Sequence, residues 1–210
     1  GVYRHFVRSI DHLKGLFDVD PVVVACDLHP GYYSTQYAQQ LEQRRVLPVQ
    51  HHWAHVASCL AEHQVNGPVR GLVADGTGYG TDGAVWGCEC LVASLDAFER
   101  LGHLKYFPLP GGDKAAKEAW RPGLSLLTQA FGPDLDGLDE LLDQPLCHTE
   151  VWGVVRQQLA RELNCVNTSS LGRVFDAVAW LLGLGSTNHF DAQLPMALES
   201  AVDANVSEVY

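Results

Sequence analysis

Apolar residues in the first half of this chain switch repeatedly between the spacing of a helix and that of a buried strand. Between Tyr3 and Phe17 they recur at helical spacing. Val22–Cys26 is instead a β-branched run between turn-forming residues, which predicts a buried strand. The alternation continues with a helix from Ser34 to about Arg45, a strand over Val46–Gln50, a helix over His51–Gln64, and strands over Val69–Asp75 and Ala84–Ala93. Strands that alternate with helices predict an α/β fold.

The pattern changes near Pro108–Asp113, after which helices alone are predicted. They run over Lys114–Phe131, Leu135–Leu142, Thr149–Leu163, Leu171–Leu184 and Ala192–Asp203. We therefore divide the chain into an α/β part, residues 1–110, and a mainly helical part, residues 111–210.

Composition and charge exclude several classes of protein. With 47% hydrophobic and 19% charged residues over 210 positions, the chain can bury a sizeable core. It has no run of about 18 apolar residues and no cleavable signal, so we expect a cytoplasmic protein without a membrane span. A formal net charge of −11 disfavours nonspecific binding to nucleic acid, although a local basic pocket for one nucleotide is compatible with it. The six cysteines are scattered, which predicts reduced thiols.

The segment Gln50–His55 holds the densest cluster of functional side chains, at the start of a predicted helix. His51 and His55 would lie one turn apart on the same face, so two imidazoles could bind one divalent cation. His52 would then point elsewhere. Asp75, which ends a predicted strand, could add an oxygen ligand. The alternative is a polar helix start with solvated histidines.

Glycines alternate near the start of the segment Asp75–Gly83. Glycine lets the backbone approach a ligand closely, and successive N–H groups in such a loop can cradle a phosphate. The segment is not a Walker loop, since no Gly-Lys-Ser/Thr follows, and not a dinucleotide fingerprint, since a strand follows. A β-hairpin with a glycine-rich turn would explain the same residues.

Two predicted helix starts carry charges that a ligand would explain. Lys114 and Lys117 oppose the helix dipole unless an anion is bound there, and ordinary solvated lysines are the alternative. Asp176 lies in the first turn of a helix that Ser169 or Ser170 caps, where a carboxylate is favoured without any ligand. The same carboxylate could accept hydrogen bonds from ribose hydroxyls, and the spacing does not decide between the two.

Five segments, in this order, resemble the hydrogenase-maturation carbamoyltransferases of the HypF type over nearly the whole chain. They are Val24–Pro30, Val49–His55, Asp75–Gly83 running into Val85–Gly87, Leu109–Asp113 and Ser169–Ala177. Trp53 stands where a third histidine is common in that family, and Cys88 stands where glycine is expected. Neither departure removes a proposed ligand.

The resemblance implies a sugar-kinase/actin-like (ASKHA) α/β fold with a mixed sheet, followed by a mainly helical segment. Proteins of this type also carry acylphosphatase, zinc-finger and YrdC-like domains before this region, and a Ser-Gly-Gly segment and a further metal-binding aspartate after it. We therefore expect a fragment of a larger domain. By itself, the fragment should bind metal and ATP weakly and show no turnover.

By the same resemblance, the parent protein is a carbamoyltransferase that uses carbamoyl phosphate and ATP to make carbamoyl adenylate. It passes the carbamoyl group to the C-terminal cysteine of an acceptor protein of the HypE type, for the maturation of nickel–iron hydrogenase. Two rivals stay open: an O-carbamoyltransferase acting on a small molecule, and a noncatalytic nucleotide-binding or docking module.

Site residues are carried over from the family one at a time. His51, His55 and Asp75 match its metal ligands, and such a set accepts zinc or iron alike. The residues assigned to the nucleotide site are Gly76, Thr77, Gly78, Gly80, Lys117 and Asp176. No catalytic nucleophile, acid or base can be assigned from the sequence.

Overall fold

The computed structural model of the chain describes residues 1–135, 137, 142 and 145–203. Its helices are α1 (Val2–Phe17), α2 (Tyr33–Gln39), α3 (His51–Glu62), α4 (Lys114–Lys117), α5 (Trp120–Phe131), α6 (Glu150–Ala160), α7 (Leu171–Leu181) and α8 (Gln193–Ser200), with a 3-10 helix over Pro145–His148. Its strands are β1 (Val23–Asp27), β2 (Arg45–Val49), β3 (Val69–Tyr79), β4 (Val85–Ala93), β5 (Phe98–His103), β6 (Phe107–Pro110) and β7 (Cys165–Thr168). The α/β fold with a mixed sheet is confirmed.

Strands β1 and β2 form a parallel two-stranded sheet, and α2 makes the crossover between them. Their register pairs Asp27 with Val49, so both strands finish at the same level. Carboxyl ends of parallel strands lie at one edge of a sheet, where α/β proteins place their ligands. Asp27 and the segment that begins at Gln50 therefore meet at this edge.

The larger sheet is mixed. Its strand order is β3-β4-β7-β6, and β5 pairs with β4 as well. Most pairs are antiparallel, and a single parallel pairing of Val85 with Thr168 joins β4 to β7. The two prolines of β6 are tolerated because, among the strands of the described residues, this one pairs only with β7 and lies at the edge of the sheet.

Helix α3 packs on β3 and β4, which brings the predicted histidine cluster onto the larger sheet. A small apolar core forms there from Val56 and Leu60 of the helix with Val73, Leu91 and Ala93 of the strands. A β-carbon added at Gly71 would lie only 2.8 Å from Cγ2 of Val56. Glycine at this point lets the helix approach the sheet closely.

The helices of the second half form their own core around three tryptophans. Trp152 lies between Trp120 and Trp180, with ring centroids 6.0 Å apart in both pairs, and Leu124 and Val155 pack in the same cluster. Buried aromatic side chains of this size contribute much of the stability of a small domain.

Several expectations about local structure are wrong. The segment Asp75–Gly83 is not a loop throughout, because β3 continues to Tyr79 past a register shift. The single helix expected over Lys114–Phe131 is two helices, separated at Glu118, whose extended backbone forms an isolated bridge with Thr187.

Strands β5, β6 and β7 were not expected, and two of them are only four residues long. The helix predicted over Leu135–Leu142 lies largely outside the described residues. The division at residue 110 stays a prediction; the larger sheet takes β3, β4 and β5 from one side of it and β7 from the other. Among the described residues, no helix combines the length and apolar character needed to cross a membrane.

Candidate metal centre and adjoining cleft

The first turns of α3 bring His51 and His55 together as their spacing predicts. Gln50 is the N-cap of this helix, and its side-chain oxygen accepts a hydrogen bond from the backbone N–H of Trp53. The Nε2 atoms of His51 and His55 lie 3.3 Å apart. Two imidazole nitrogens at this distance can both reach one cation.

Asp75 completes the group from the middle of β3. Its Oδ2 atom lies 3.1 Å from Nε2 of His51 and 3.6 Å from Nε2 of His55. In a tetrahedral site with bonds of about 2.0–2.1 Å, neighbouring ligand atoms are about 3.3 Å apart. The three observed separations scatter around that value, so the residues fit a bound metal without rearrangement of the backbone.

The carboxylate of Asp75 is oriented by the backbone N–H of the next residue. Oδ1 accepts a hydrogen bond of 2.6 Å from the N–H of Gly76, which turns Oδ2 toward the histidines. Oδ2 is buried and accepts no hydrogen bond from any described residue. A buried carboxylate oxygen without a donor is costly, and a cation would satisfy it.

Asp27 supports His51 from the neighbouring sheet edge. Its Oδ2 atom lies 3.0 Å from Nδ1 of His51, and its Oδ1 accepts a hydrogen bond from the backbone N–H of His29. A carboxylate on the far nitrogen is a usual partner of a metal-ligating histidine, because it fixes the ring and leaves the other nitrogen free. The sequence analysis gave Asp27 no role, although its place at the end of a parallel strand beside His51 could have suggested one.

His52 does not point away from the site, and that expectation is wrong. Its ring is fully buried, with Nε2 3.6 Å from Oδ2 of Asp75. Burial lowers the pKa of His52, and the charge of Asp75 opposes this only in part. His52 nevertheless lies outside the group of ligand atoms within 4.8 Å of one another, which comprises His51, His55 and Asp75.

A cleft of about 670 Å³ opens beside this group. Asp75, Gly76 and Thr77 form one wall, and Lys117 and Arg173 supply positive charge at the others. Asp75 thus faces the histidines and also lines the cleft, which places any cation held there next to any anion bound in the cleft.

The N-terminus of α7 also faces this cleft. The hydroxyl of Ser170 accepts from the N–H of Arg173 and donates to the carbonyl of Gly76. A β-carbon on Gly172 would lie 2.9 Å from Cα of Gly76, so only glycine permits this approach of helix and strand. Backbone N–H groups at a helix N-terminus attract phosphate.

Two stretches of the chain match known protein families. Residues 1–62 match the HypF Kae1-like domain, and residues 71–210 match the family described as the carbamoyltransferase Kae1-like domain, second subdomain. The chain belongs to the HypF carbamoyltransferase family. The resemblance inferred from five sequence segments is thereby confirmed.

Individual HypF proteins are similar over most of the chain. Carbamoyltransferase HypF2 of Cupriavidus necator is 40% identical over 202 residues, which are 94% of this chain and 24% of that protein. Carbamoyltransferase HypF of a Synechocystis strain is 37% identical over 99% of this chain and 29% of its own length. The chain therefore spans about a quarter of the length of these relatives.

Two solved HypF structures share the fold. The crystal structure of full-length HypF in the phosphate- and nucleotide-bound form superposes with a TM-score of 0.84 at 44% identity, covering 94% of this chain and 25% of that one. The crystal structure of T. kodakarensis HypF gives a TM-score of 0.83 at 36% identity, covering 93% of this chain and 27% of that one.

Asp176, proposed for the nucleotide site of this HypF-family chain, lies behind the wall of the cleft. It is fully buried, 2.9 Å from Nε of Arg173, and accepts a hydrogen bond from the side chain of Asn188. Burial raises its pKa, and Arg173 and Asn188 oppose the rise in part. Arg173 and Asn188 line the cleft, so Asp176 contacts the residues that face a ligand there.

The other predicted nucleotide residues fall into two groups. Gly76, Thr77 and Lys117 line the cleft. Gly78 and Gly80 do not line it. A β-carbon on Gly78 would lie 2.4 Å from Cε1 of His52, and one on Gly80 would lie 2.2 Å from Nε1 of Trp86. These two glycines make room for neighbouring rings, which is a packing role.

Sequence reasoning also missed a buried carboxylate behind α7. Glu89 is fully buried, and its Oε1 accepts from the N–H of Gly87 and the hydroxyl of Ser169, while Oε2 is 2.6 Å from Arg100. The guanidinium of Arg100 in turn stacks on Trp86, 3.8 Å from the ring centroid. Through these contacts β4 holds the segment that begins α7.

Proposed function

We propose that this chain carries the metal- and nucleotide-binding part of an ATP-dependent carbamoyl-transfer region. In the whole protein, carbamoyl adenylate made from carbamoyl phosphate and ATP would deliver its carbamoyl group to the C-terminal cysteine of a HypE-type acceptor. The observation that carries the proposal is the placement of Asp75, which belongs to the histidine group and also lines a cleft that contains Lys117 and Arg173.

The proposed metal ligands are His51, His55 and Asp75. Two imidazole nitrogens and one carboxylate oxygen suit zinc or iron. When bound, the cation would act as a Lewis acid on a phosphate oxygen and make AMP a better leaving group. Asp27 would hold His51 in the ligating orientation.

Residues of the cleft would bind the phosphate of the nucleotide. Arg173 and Lys117 supply positive charge, and the N-terminus of α7, at Leu171–Arg173, lines the same cleft. Donors fixed in this way stabilise charge that develops on a leaving phosphate. The likeness to a HypF crystallised in a phosphate- and nucleotide-bound form supports this assignment.

The transfer itself needs a nucleophile from the acceptor. Its thiolate would form a C–S bond to the carbamoyl carbon while the bond from that carbon to the phosphate oxygen breaks. AMP would leave with the electron pair of that bond, close to the positively charged groups of the cleft. The proton of the acceptor thiol would be released when the thiolate forms.

Metal binding by the purified chain tests this proposal. The wild-type chain, a His51→Ala/His55→Ala double variant and a His5→Ala/His12→Ala double variant would be dialysed against Zn²⁺ or Fe²⁺, and the bound metal measured by elemental analysis. His5 and His12 are exposed on α1, so the second variant removes two histidines without touching the site.

Since the isolated chain should bind metal weakly, we expect up to about one equivalent in the wild type and in the α1 variant only at millimolar metal. The His51→Ala/His55→Ala variant should lose it. Equal metal content in all three proteins would refute the proposed ligand set. Metal in none of them would mean that the further aspartate expected after this region is required, and a longer chain would then be measured in the same way. Folding of each variant would be checked by circular dichroism.

A further inference from the structure

The network around Gln50 fixes the orientation of its side-chain amide. The backbone N–H of Trp53 can only donate, and it lies 2.9 Å from Oε1 of Gln50. The carbonyl of Tyr79 can only accept, and it lies 3.1 Å from Nε2 of Gln50. The oxygen and the nitrogen of the amide are therefore both assigned by partners with a single role.

This orientation determines the tautomer of His52. Nε2 of Gln50 is also 3.2 Å from Nδ1 of His52, and an amide NH₂ can only donate. Nδ1 of His52 must then carry the lone pair, and the ring proton must be on Nε2. A proton on Nδ1 would face the protons of the Gln50 amide.

The partner of His51 imposes the opposite tautomer. Nδ1 of His51 lies 3.0 Å from Oδ2 of Asp27, and a carboxylate can only accept. His51 therefore carries a proton on Nδ1, so that Nε2, which faces Asp75 and His55, is the nitrogen available to bind a metal. Two consecutive histidines thus differ in the nitrogen that can bind a metal.

The protonated Nε2 of His52 faces Asp75. It is buried, has no hydrogen bond to any described residue, and lies 3.6 Å from Oδ2 of Asp75. This separation is longer than a hydrogen bond. The ring is confined where it stands, because it fills the space beside Gly78 that a β-carbon would occupy and lies near Trp86.

We propose that His52 is a positioning residue for the metal ligand Asp75, directing an N–H at its Oδ2 atom, and that Gln50 prevents His52 from becoming a ligand. This inference rests on the metal site proposed above. It adds a reason why His51, and not His52, is the metal ligand. With Oδ1 held by Gly76 and Oδ2 faced by His52, the carboxylate is oriented to bind through one oxygen.

Tautomers can be measured in the metal-free chain labelled with ¹⁵N-histidine, by long-range ¹H–¹⁵N correlation spectra. His51→Gln and His52→Gln variants would assign the two rings. We expect a proton on Nδ1 of His51, whereas His52 should have an unprotonated Nδ1 and its ring proton on Nε2. A proton on Nδ1 of His52, or no proton on Nδ1 of His51, would overturn the inference.

Addition of Zn²⁺ to the same sample separates positioning from ligation. Nε2 of His51 should shift on binding, while His52 should keep its proton on Nε2. Loss of that proton would make His52 a ligand and sink the idea. If no zinc binds but the tautomers are as expected, the metal site fails while the control of His52 by Gln50 stands.

Zinc affinity measured by chelator competition gives a second readout. His52→Leu should weaken binding by about 10–100-fold, as the loss of a residue that orients a metal ligand does. His52→Gln, whose amide nitrogen can replace Nε2 as donor, should recover most of the affinity. Wild-type affinity in a folded His52→Leu variant would contradict the proposal, and thermal unfolding of both variants would establish that they are folded.

Discussion

Gly87→Ala should destabilise the chain strongly, because Gly87 lies where β4 passes between β3 and the start of α7. A β-carbon at this position would be 2.6 Å from Cα of Ser170 and 2.7 Å from the carbonyl oxygen of Asp75. Both neighbours are backbone atoms, so no change of side-chain rotamer can relieve the contact.

The size of the effect follows from these distances. Carbon atoms pack at about 3.5 Å or more, so the two neighbouring segments would have to retreat by about 0.8–0.9 Å. Overpacking of a well-packed site costs about 1–3 kcal/mol, and a contact with backbone on two sides belongs at the upper end. A loss of about 3 kcal/mol lowers the melting temperature of a chain of this size by about 6–12 °C.

Thermal unfolding followed by circular dichroism would measure this loss. Gly102→Ala is the matched control, because Gly102 lies on β5, which also pairs with β4, and its added β-carbon would meet no atom within 4 Å. The control should melt within about 2 °C of the wild type. If Gly87→Ala has the same melting temperature as the control, the close approach of β4 to Ser170 does not constrain the fold, which would refute this prediction.

Two further predictions concern buried and partly buried carboxylates. Asp176→Ala should lower the free energy of unfolding, measured in urea without nucleotide, by about 3–5 kcal/mol, because it leaves Arg173 without its buried partner. Asp176→Asn should lower it less. Unchanged stability in both variants would favour a role in ligand binding alone. For Asp82, partial burial would raise the pKa, but hydrogen bonds from Tyr106, Ala84 and Trp86 outweigh it and lower the pKa below the ordinary value of 3.8. Its stabilising contribution is therefore present above the pKa of the unfolded chain and is lost as the pH falls through the lowered folded value. Unfolding free energies measured from about pH 6 to about pH 3 should fall more steeply in the wild type than in Asp82→Asn, and parallel curves would contradict this.

The candidate metal ligands could be predicted because the signals that identify them are local. His51 and His55 are one helical turn apart, and any helix begun at Gln50 brings them together. Asp75 ends the apolar run of β3, so its approach to the helix needed only the packing of α3 on β3. The five ordered segments added the family, which no single motif would have specified.

The residues that the sequence did not predict depend on contacts between distant segments. Asp27 reaches His51 only because β1 and β2 are parallel and in register. Glu89 looks like one polar residue in an apolar strand until Ser169 and Arg100 contact it. His52 appeared to face away because helical periodicity describes one helix and not the sheet beneath it.

The missed strands have a similar explanation. β6 contains two prolines, and β7 is four residues long, so neither shows the alternation that identifies a strand. Each exists because it pairs with the other, and β7 also pairs with β4. Such tertiary pairing overrides local propensity.

The hydrogen bond from Ser170 to the carbonyl of Gly76 joins residues 94 positions apart in the chain. During synthesis on the ribosome, both histidines and Asp75 emerge well before Ser170 does. The strand segment that carries Asp75 is thus still open on one side when α3 and β3 have formed, and closing a loop of this length is slow compared with forming a helix. The nascent chain holds all three candidate ligands before it holds the contact that joins this strand to α7, so the wall of the cleft beside the site forms late in folding although the ligands are early in the sequence.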